Sequence, residues 1–193
     1  MPKDKLFDTE VALEKAMHLF WRKGYNGTSI NNLVDATGLS RSSLYATYQD
    51  KHQLYLASLK HYQRLNTKWL MEELNKHSSA RKKIEVIFRA TMNTMMKDTY
   101  GKGCFMINTA TEMANQSEEL AKMASDDFSG MEELFLQIIK QGQAEGEIDK
   151  QQKAKALAHY FFTSYLGLRV MGQTNPDKSK LEDSIRITLN TLD

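Results

Sequence analysis

One cysteine, two prolines and four valines in 193 residues leave few options for the architecture of this chain. A lone Cys104 excludes an intrachain disulfide and any zinc site built from several thiolates. Between Pro2 and Pro176 no residue imposes the missing N–H and fixed φ that break helices. With 21 Leu and 11 Met against four Val, the aliphatic content favours helix over strand. No alternating apolar and polar run sits between hairpin signals, and there is no repeat or low-complexity tract, so the predicted fold is all-α. Long apolar runs are lacking as well. The longest stretch without a charged residue, Ala156 to Leu168, has 13 residues, short of the ~20 a membrane helix needs, so no membrane partner is expected. The first residues, Met-Pro-Lys-Asp-Lys, carry charge where a secretory signal needs an apolar run, and the expected location is cytoplasmic.

Catalytic signatures are scarce too. The five histidines include no pair at the spacing of helical metal ligands, no Glu-x-x-His motif occurs, and neither a phosphate-cradling glycine loop nor a nucleophile elbow is present. No enzyme activity, metal or cofactor is expected. The net charge of +2 is small, but residues 1–60 hold 8 Lys/Arg against 6 Asp/Glu while the remainder is balanced, which hints at an anionic partner for the N-terminal part.

What is present is a run of helical patterns with clear punctuation. Asp8 can cap a first helix with Ala12, Ala16, Leu19 and Phe20 on one face, ending at Gly24. Thr28 or Ser29 caps a short second helix carrying Ile30, Leu33 and Val34 and closed by Thr37-Gly38. Ser40 caps a third, Arg41 to Tyr48, and Asp50 caps a long fourth that runs past Trp69 to Leu74. Longer patterns follow at about 80–97, 104–114, 117–144, 150–170 and 178–192, giving about nine helices.

Two short helices joined by Gly38-Leu39-Ser40 make a helix-turn-helix candidate, whose second helix would enter the major groove. Arg41 can bond base edges or phosphate. Ser42 and Ser43 are small enough to let the helix sit close, and Thr28 with its neighbouring amides can receive a phosphate. Tyr45 and Tyr48 share a face from which phenols reach phosphates, Thr47 lies between them, and Lys51 adds a cation at the head of the next helix.

The segments Ala16-Met-His-Leu-Phe-Trp-Arg-Lys-Gly-Tyr-Asn-Gly-Thr28, Ala36-Thr-Gly-Leu-Ser-Arg-Ser-Ser-Leu-Tyr45 and Tyr48-Gln-Asp-Lys51 with Leu54 resemble the DNA-binding domain of TetR-family transcriptional regulators over about 50 residues. The resemblance implies that Thr28, Arg41, Ser42, Tyr45, Tyr48 and Lys51 lie where family members meet operator DNA. It also implies a DNA-binding domain at 1–54 and a ligand-binding and dimerisation domain at 55–193. Where many members carry Tyr-His-Phe, this chain has Ala46-Thr47-Tyr48, so one aromatic and one histidine contact are absent. The function expected is a ligand-responsive regulator, a repressor released from double-stranded operator DNA by a small molecule or electrophile. The rival is a helical small-molecule-binding or thiol-dependent enzyme with no DNA contact.

Gly103-Cys-Phe-Met-Ile-Asn-Thr-Ala-Thr-Glu-Met-Ala114 looks like the Gly-Cys pattern of one branch of that family. Tyr62, Phe88, Met92, Phe105, Met131, Phe161 and Tyr165 can wall an inducer cavity, to which Asn108 and Glu112, one helical turn apart, add polar groups. Cys104, beside Lys102 at a helix start, is the candidate redox sensor. Phe161, Phe162 and Leu166 on the penultimate helix, with Leu181, Ile185 and Leu189 on the last, form the expected face of a homodimer.

Overall fold

The computed structural model describes residues 9–174 and 177–193. Within them the chain forms α1 (Thr9–Lys23), α2 (Ile30–Thr37), α3 (Arg41–Tyr48), α4 (Lys51–Leu74), α5 (Ala80–Lys97), α6 (Phe105–Met113), α7 (Glu118–Glu145), α8 (Ala154–Met171) and α9 (Lys178–Asn190). No strand occurs among the described residues, and the all-α expectation holds. The expected cap of α1, Asp8, lies outside the described residues. No helix among them is long and apolar enough to cross a membrane.

The chain divides into two compact units, cut differently from 1–54 and 55–193. One holds the residues up to Asn66 together with Phe105–Lys122, and the other holds Thr67–Cys104 and Met123–Asp193. The N-terminal unit therefore contains α1 to α3, most of α4 and, from far along the sequence, all of α6. Its centre is aromatic. Phe105 of α6 meets Tyr55 edge-on at 5.3 Å and Tyr62 at 5.7 Å, and Tyr55 meets Phe20 at 4.9 Å. Edge-to-face geometry brings the positive ring edge to the negative face. Phe20, Tyr55 and Phe105 are fully buried, and the one polar atom of this trio, the Tyr55 hydroxyl, is hydrogen-bonded to Thr109 Oγ1 at 2.9 Å. Burial pushes the pKa of that phenol up.

The C-terminal unit is a helical bundle whose core includes Ile84, Ile87, Phe88 and Met92 of α5, Phe135, Ile138 and Ile139 of α7, Leu157, Phe161 and Leu168 of α8, and Leu181, Ile185 and Leu189 of α9. Two glycines mark close approaches. A Cβ on Gly142 would meet Ala80 and Ile148 inside 3 Å, and one on Gly172 would overlap the Met95 sulfur.

This core corrects the expected dimer face. Phe161 (0%), Leu181 (1%), Ile185 (1%) and Leu189 (8%) point into their own subunit and have almost no surface left for a partner to cover. Helical spacing identifies an apolar stripe but not the body that buries it. Of the expected set only Phe162 and Leu166 stay half-exposed. The large apolar side chains that α8 and α9 present to solvent are instead Tyr160, Val170, Met171 and Ile187.

Candidate nucleic-acid interface

The two short helices are held by local chemistry. α2 starts with a reciprocal capping box: the Asn32 amide donates to Ser29 Oγ, and the Ser29 amide donates to Asn32 Oδ1, each at 3.1 Å. It ends at Gly38, whose φ of 74° suits a residue without a side chain and whose N–H reaches Val34 O. Leu39 is buried, and its N–H donates to Thr37 Oγ1, which itself donates to Leu33 O, so the tight turn leaves few polar groups unmet. Ser40 then caps α3 by accepting from the Ser43 amide at 3.1 Å. α3 ends at Gln49 (φ 68°), and Asp50 Oδ1 accepts from the Gln53 amide as α4 begins.

On α3 only Leu44 faces the core. Arg41, Ser42, Tyr45 and Thr47 are exposed, and Ser43 and Tyr48 are half-buried. Eight residues at 1.5 Å per residue make a rod about 12 Å long, which a major groove admits. Arg41 is oriented before any ligand arrives, because its guanidinium donates to Asn31 Oδ1 of α2 at 2.9 Å. Its other N–H groups stay available for the two-point contact that reads guanine. Asn31 escaped the sequence reading. Its only signal was a polar side chain on the outer face of α2.

Three of the expected contacts are engaged by groups of their own unit. Thr28 is 1% exposed, and its hydroxyl donates to Gly24 O at 2.7 Å, closing the end of α1, so no phosphate can reach that oxygen. The expectation of a Thr28 side-chain contact is corrected on that ground, and Ser29 holds the exposed cap position. Lys51 Nζ donates to Tyr25 O (2.9 Å) and Thr28 O (3.0 Å) and lies 4.1 Å from the Tyr25 ring centre. Burial pulls its pKa down, against the opposing pull of Glu112. Lys51 thus holds the α1–α2 turn. Tyr48 directs its hydroxyl to Thr9 O at 3.4 Å, and burial raises its pKa.

The expected inducer set is also divided. Tyr62, Phe105, Asn108 and Glu112 belong to the N-terminal unit, while Phe88, Met92, Met131, Phe161 and Tyr165 belong to the C-terminal one. Within the latter, Phe88 meets Phe161 at 6.0 Å and Tyr165 at 6.3 Å. The Arg169 guanidinium lies 4.8 Å from the Tyr165 ring centre. Burial raises the Tyr165 pKa, Arg169 opposes the rise, and charges at Cys104 and Asp127 add to it. Cys104 is 8% exposed and immediately precedes α6. No group of three or more metal-ligating side chains occurs among the described residues.

An exposed recognition helix, seated behind a second short helix by a capped turn, defines a helix-turn-helix DNA-binding protein. Residues 12–58 match the model of the bacterial regulatory proteins of the tetR family, and residues 80–188 match that of the tetracyclin repressor-like C-terminal domain. The chain is 31% identical to the transcriptional regulator YezE of Bacillus subtilis over the full length of both, and 31% identical to the transcriptional repressor ComR of Escherichia coli over 97% of this chain and 90% of ComR. Its fold superposes with a TM-score of 0.89, at 25% identity and complete coverage of both chains, on a cysteine-substituted form of the TetR-family regulator CifR bound to a 26-bp operator duplex. The chain belongs to the TetR family: it is a DNA-binding transcriptional regulator and not an enzyme.

The side chain with most to lose is Arg41. Arg41→Ala should weaken specific operator binding by about 1 to 3 kcal/mol while leaving the unfolding transition in place, since the residue is exposed and, among the described residues, its side chain bonds only Asn31. Fluorescence anisotropy on a selected operator measures the effect, and unchanged affinity would remove α3 from the interface.

Proposed function

We propose that this regulator is a homodimeric repressor that leaves its operator when a small molecule enters the C-terminal unit. The observation that carries the ligand half is a polar group at the edge of an aromatic core: Tyr165, partly buried beside Phe88 and Phe135, with Arg169 over its ring and with Cys104 and Asp127 close enough to act on its phenol. Convergent polar groups inside aromatic and methionine walls are the composition of a small-molecule site. Phe88, Met92, Met131, Phe161 and Tyr165 supply those walls, and Arg169 favours a ligand with an electron-rich or anionic end. Tyr62, Phe105 and Glu112 have contacts of their own in the N-terminal unit, to which Asn108 also belongs.

The dimer reading is supported by the solvent-facing Tyr160, Val170, Met171 and Ile187, with Phe162 and Leu166 at their margin, and by the two half-sites that a pair of recognition helices would read. Arg41, Ser42, Ser43, Tyr45 and Thr47 face the operator. Action on operator DNA puts the protein in the cytoplasm.

Gly103-Cys104 supports a reading of the chain as one of the Gly-Cys branch of the family, for which a small electrophile is a natural inducer. Because the thiol is buried, only a compact reagent gains access. Treatment with a small maleimide should release wild-type protein from operator DNA selected out of a random pool, and Cys104→Ser should bind normally and ignore the reagent. Equal release of both proteins, or a wild-type thiol that reacts only on denaturation, would leave Cys104 as a packing residue and the inducer as noncovalent.

A further inference from the structure

The turn Gly24-Tyr25-Asn26-Gly27-Thr28, which leads from α1 to the operator-facing helices, is held from two sides by opposite charges. Lys51 takes its carbonyls, at Tyr25 O and Thr28 O. Glu112 takes its amides: the Tyr25 N–H donates to Oε2 at 2.9 Å and the Asn26 N–H to Oε1 at 2.8 Å, so one carboxylate satisfies two consecutive backbone donors. Glu112 comes from α6, more than 80 residues away in sequence, and α6 is fixed in the same unit by Phe105 and by the Tyr55–Thr109 hydrogen bond. Neighbouring contacts repeat the attachment, since Asn26 Nδ2 donates to Gln116 Oε1 at 3.3 Å and Gln116 Nε2 to Glu112 O at 2.8 Å. The approach is close enough to demand glycine at the adjoining position. A Cβ on Gly24, where φ is 74°, would stand 2.6 Å from Glu112 Oε2.

We infer that Glu112 is a positioning residue for operator binding: it touches no DNA, and it fixes the turn from which α2 and α3 take their direction. A carboxylate accepting two amide bonds is a strong and directional anchor. The turn it holds ends at Thr28, and the first residue of α2 is Ile30. Release of the turn lets the helix pair rotate as a body without unfolding, because its own caps at Ser29, Gly38 and Ser40 are local. The inference rests on the reading of α3 as the recognition helix.

The test compares wild type, Glu112→Ala, Glu112→Gln, Gly24→Ala and Arg41→Ala for binding to the selected operator and to unrelated duplex DNA across a salt series, with thermal unfolding of each. Glu112→Ala should lose about tenfold or more in operator affinity and less than about twofold on unrelated DNA, with the slope of log affinity against log salt unchanged, because no phosphate contact is removed. Glu112→Gln, which keeps one acceptor oxygen, should fall between. Gly24→Ala, which displaces the carboxylate from the other side, should show the same loss of discrimination, and the double variant Gly24→Ala, Glu112→Ala should be no worse than Gly24→Ala alone. A loss that falls equally on operator and unrelated DNA, or that disappears on cooling the variant below its own unfolding transition, would reduce Glu112 to a stability role and overturn the inference. So would full operator affinity in Glu112→Ala alongside a weakened Arg41→Ala. Full affinity in Arg41→Ala overturns the recognition-helix reading itself, and this inference with it.

Discussion

Glutamate at position 185 should collapse the C-terminal unit, whereas glutamate two residues later should leave it folded and, in the proposed dimer, help to separate the subunits. Ile185 is 1% exposed and packs in the α5, α7, α8 and α9 core, while Ile187 on the same helix is 57% exposed. A carboxylate forced into the first position has no partner there. Its desolvation costs several kcal/mol, comparable to the whole stability of a typical domain. At the second position it stays hydrated in a monomer and opposes association only when a partner covers it. The double variant Val170→Glu, Ile187→Glu should therefore melt near the wild-type temperature, sediment as a monomer and lose on the order of 10² to 10⁴-fold in operator affinity, the advantage of binding two half-sites at once. Ile185→Glu should show no cooperative transition at all. If instead Ile185→Glu is a folded monomer and the double variant remains a dimer, the partner covers the face that the sequence suggested and the outward residues are incidental.

Phe105→Ala should weaken the N-terminal unit by about 3 to 5 kcal/mol. The ring is fully buried and serves Trp21, Tyr55 and Tyr62 at once, so its removal leaves a hole that three other aromatic rings cannot close without giving up their own geometry. Trp21 reports on this site directly, and replacing the only other tryptophan, Trp69, by Phe makes the signal unambiguous. At roughly 2 to 4 °C per kcal/mol for a chain of this size, the Trp21 transition should fall by about 6 to 20 °C, and operator binding should be lost with it. A shift of less than about 1 kcal/mol would mean that α6 leans against the N-terminal unit without completing its core.

The parts of this molecule that could be read along the sequence are those governed by neighbours a few residues apart. Ser29, Gly38 and Ser40 act on backbone groups within four residues of themselves, and the helix-turn-helix they delimit matches the expectation closely. The place of Arg41 at the head of α3 was equally legible, because the Ser40 cap before it fixes where the helix starts. The failures share a different cause. Thr28 and Lys51 have the chemistry of phosphate contacts, but the carbonyls that claim them, Gly24 O for one and Tyr25 O and Thr28 O for the other, become available only once α1 ends and α4 folds back over the turn. Glu112 looked like a polar group in a cavity because its partners, the amides of Tyr25 and Asn26, lie 87 and 86 residues away. On α9 the stripe was found correctly and assigned to the wrong side. Leu181, Ile185 and Leu189 meet α5 and α8 of their own subunit, and nothing in a period of 3.6 distinguishes an internal neighbour from an external one.

The membership of α6 in the N-terminal unit also bears on how such regulators can be recombined. A chimaera spliced after the fourth helix begins, so as to graft this operator preference onto a foreign sensor, would carry α1 to α3 but leave behind Phe105, Thr109 and Glu112. The transplanted reader would arrive with an open core and an unheld turn. The heritable module for operator recognition here is two separated stretches of gene, and a swap that respects it must exchange both or redesign the contacts between them.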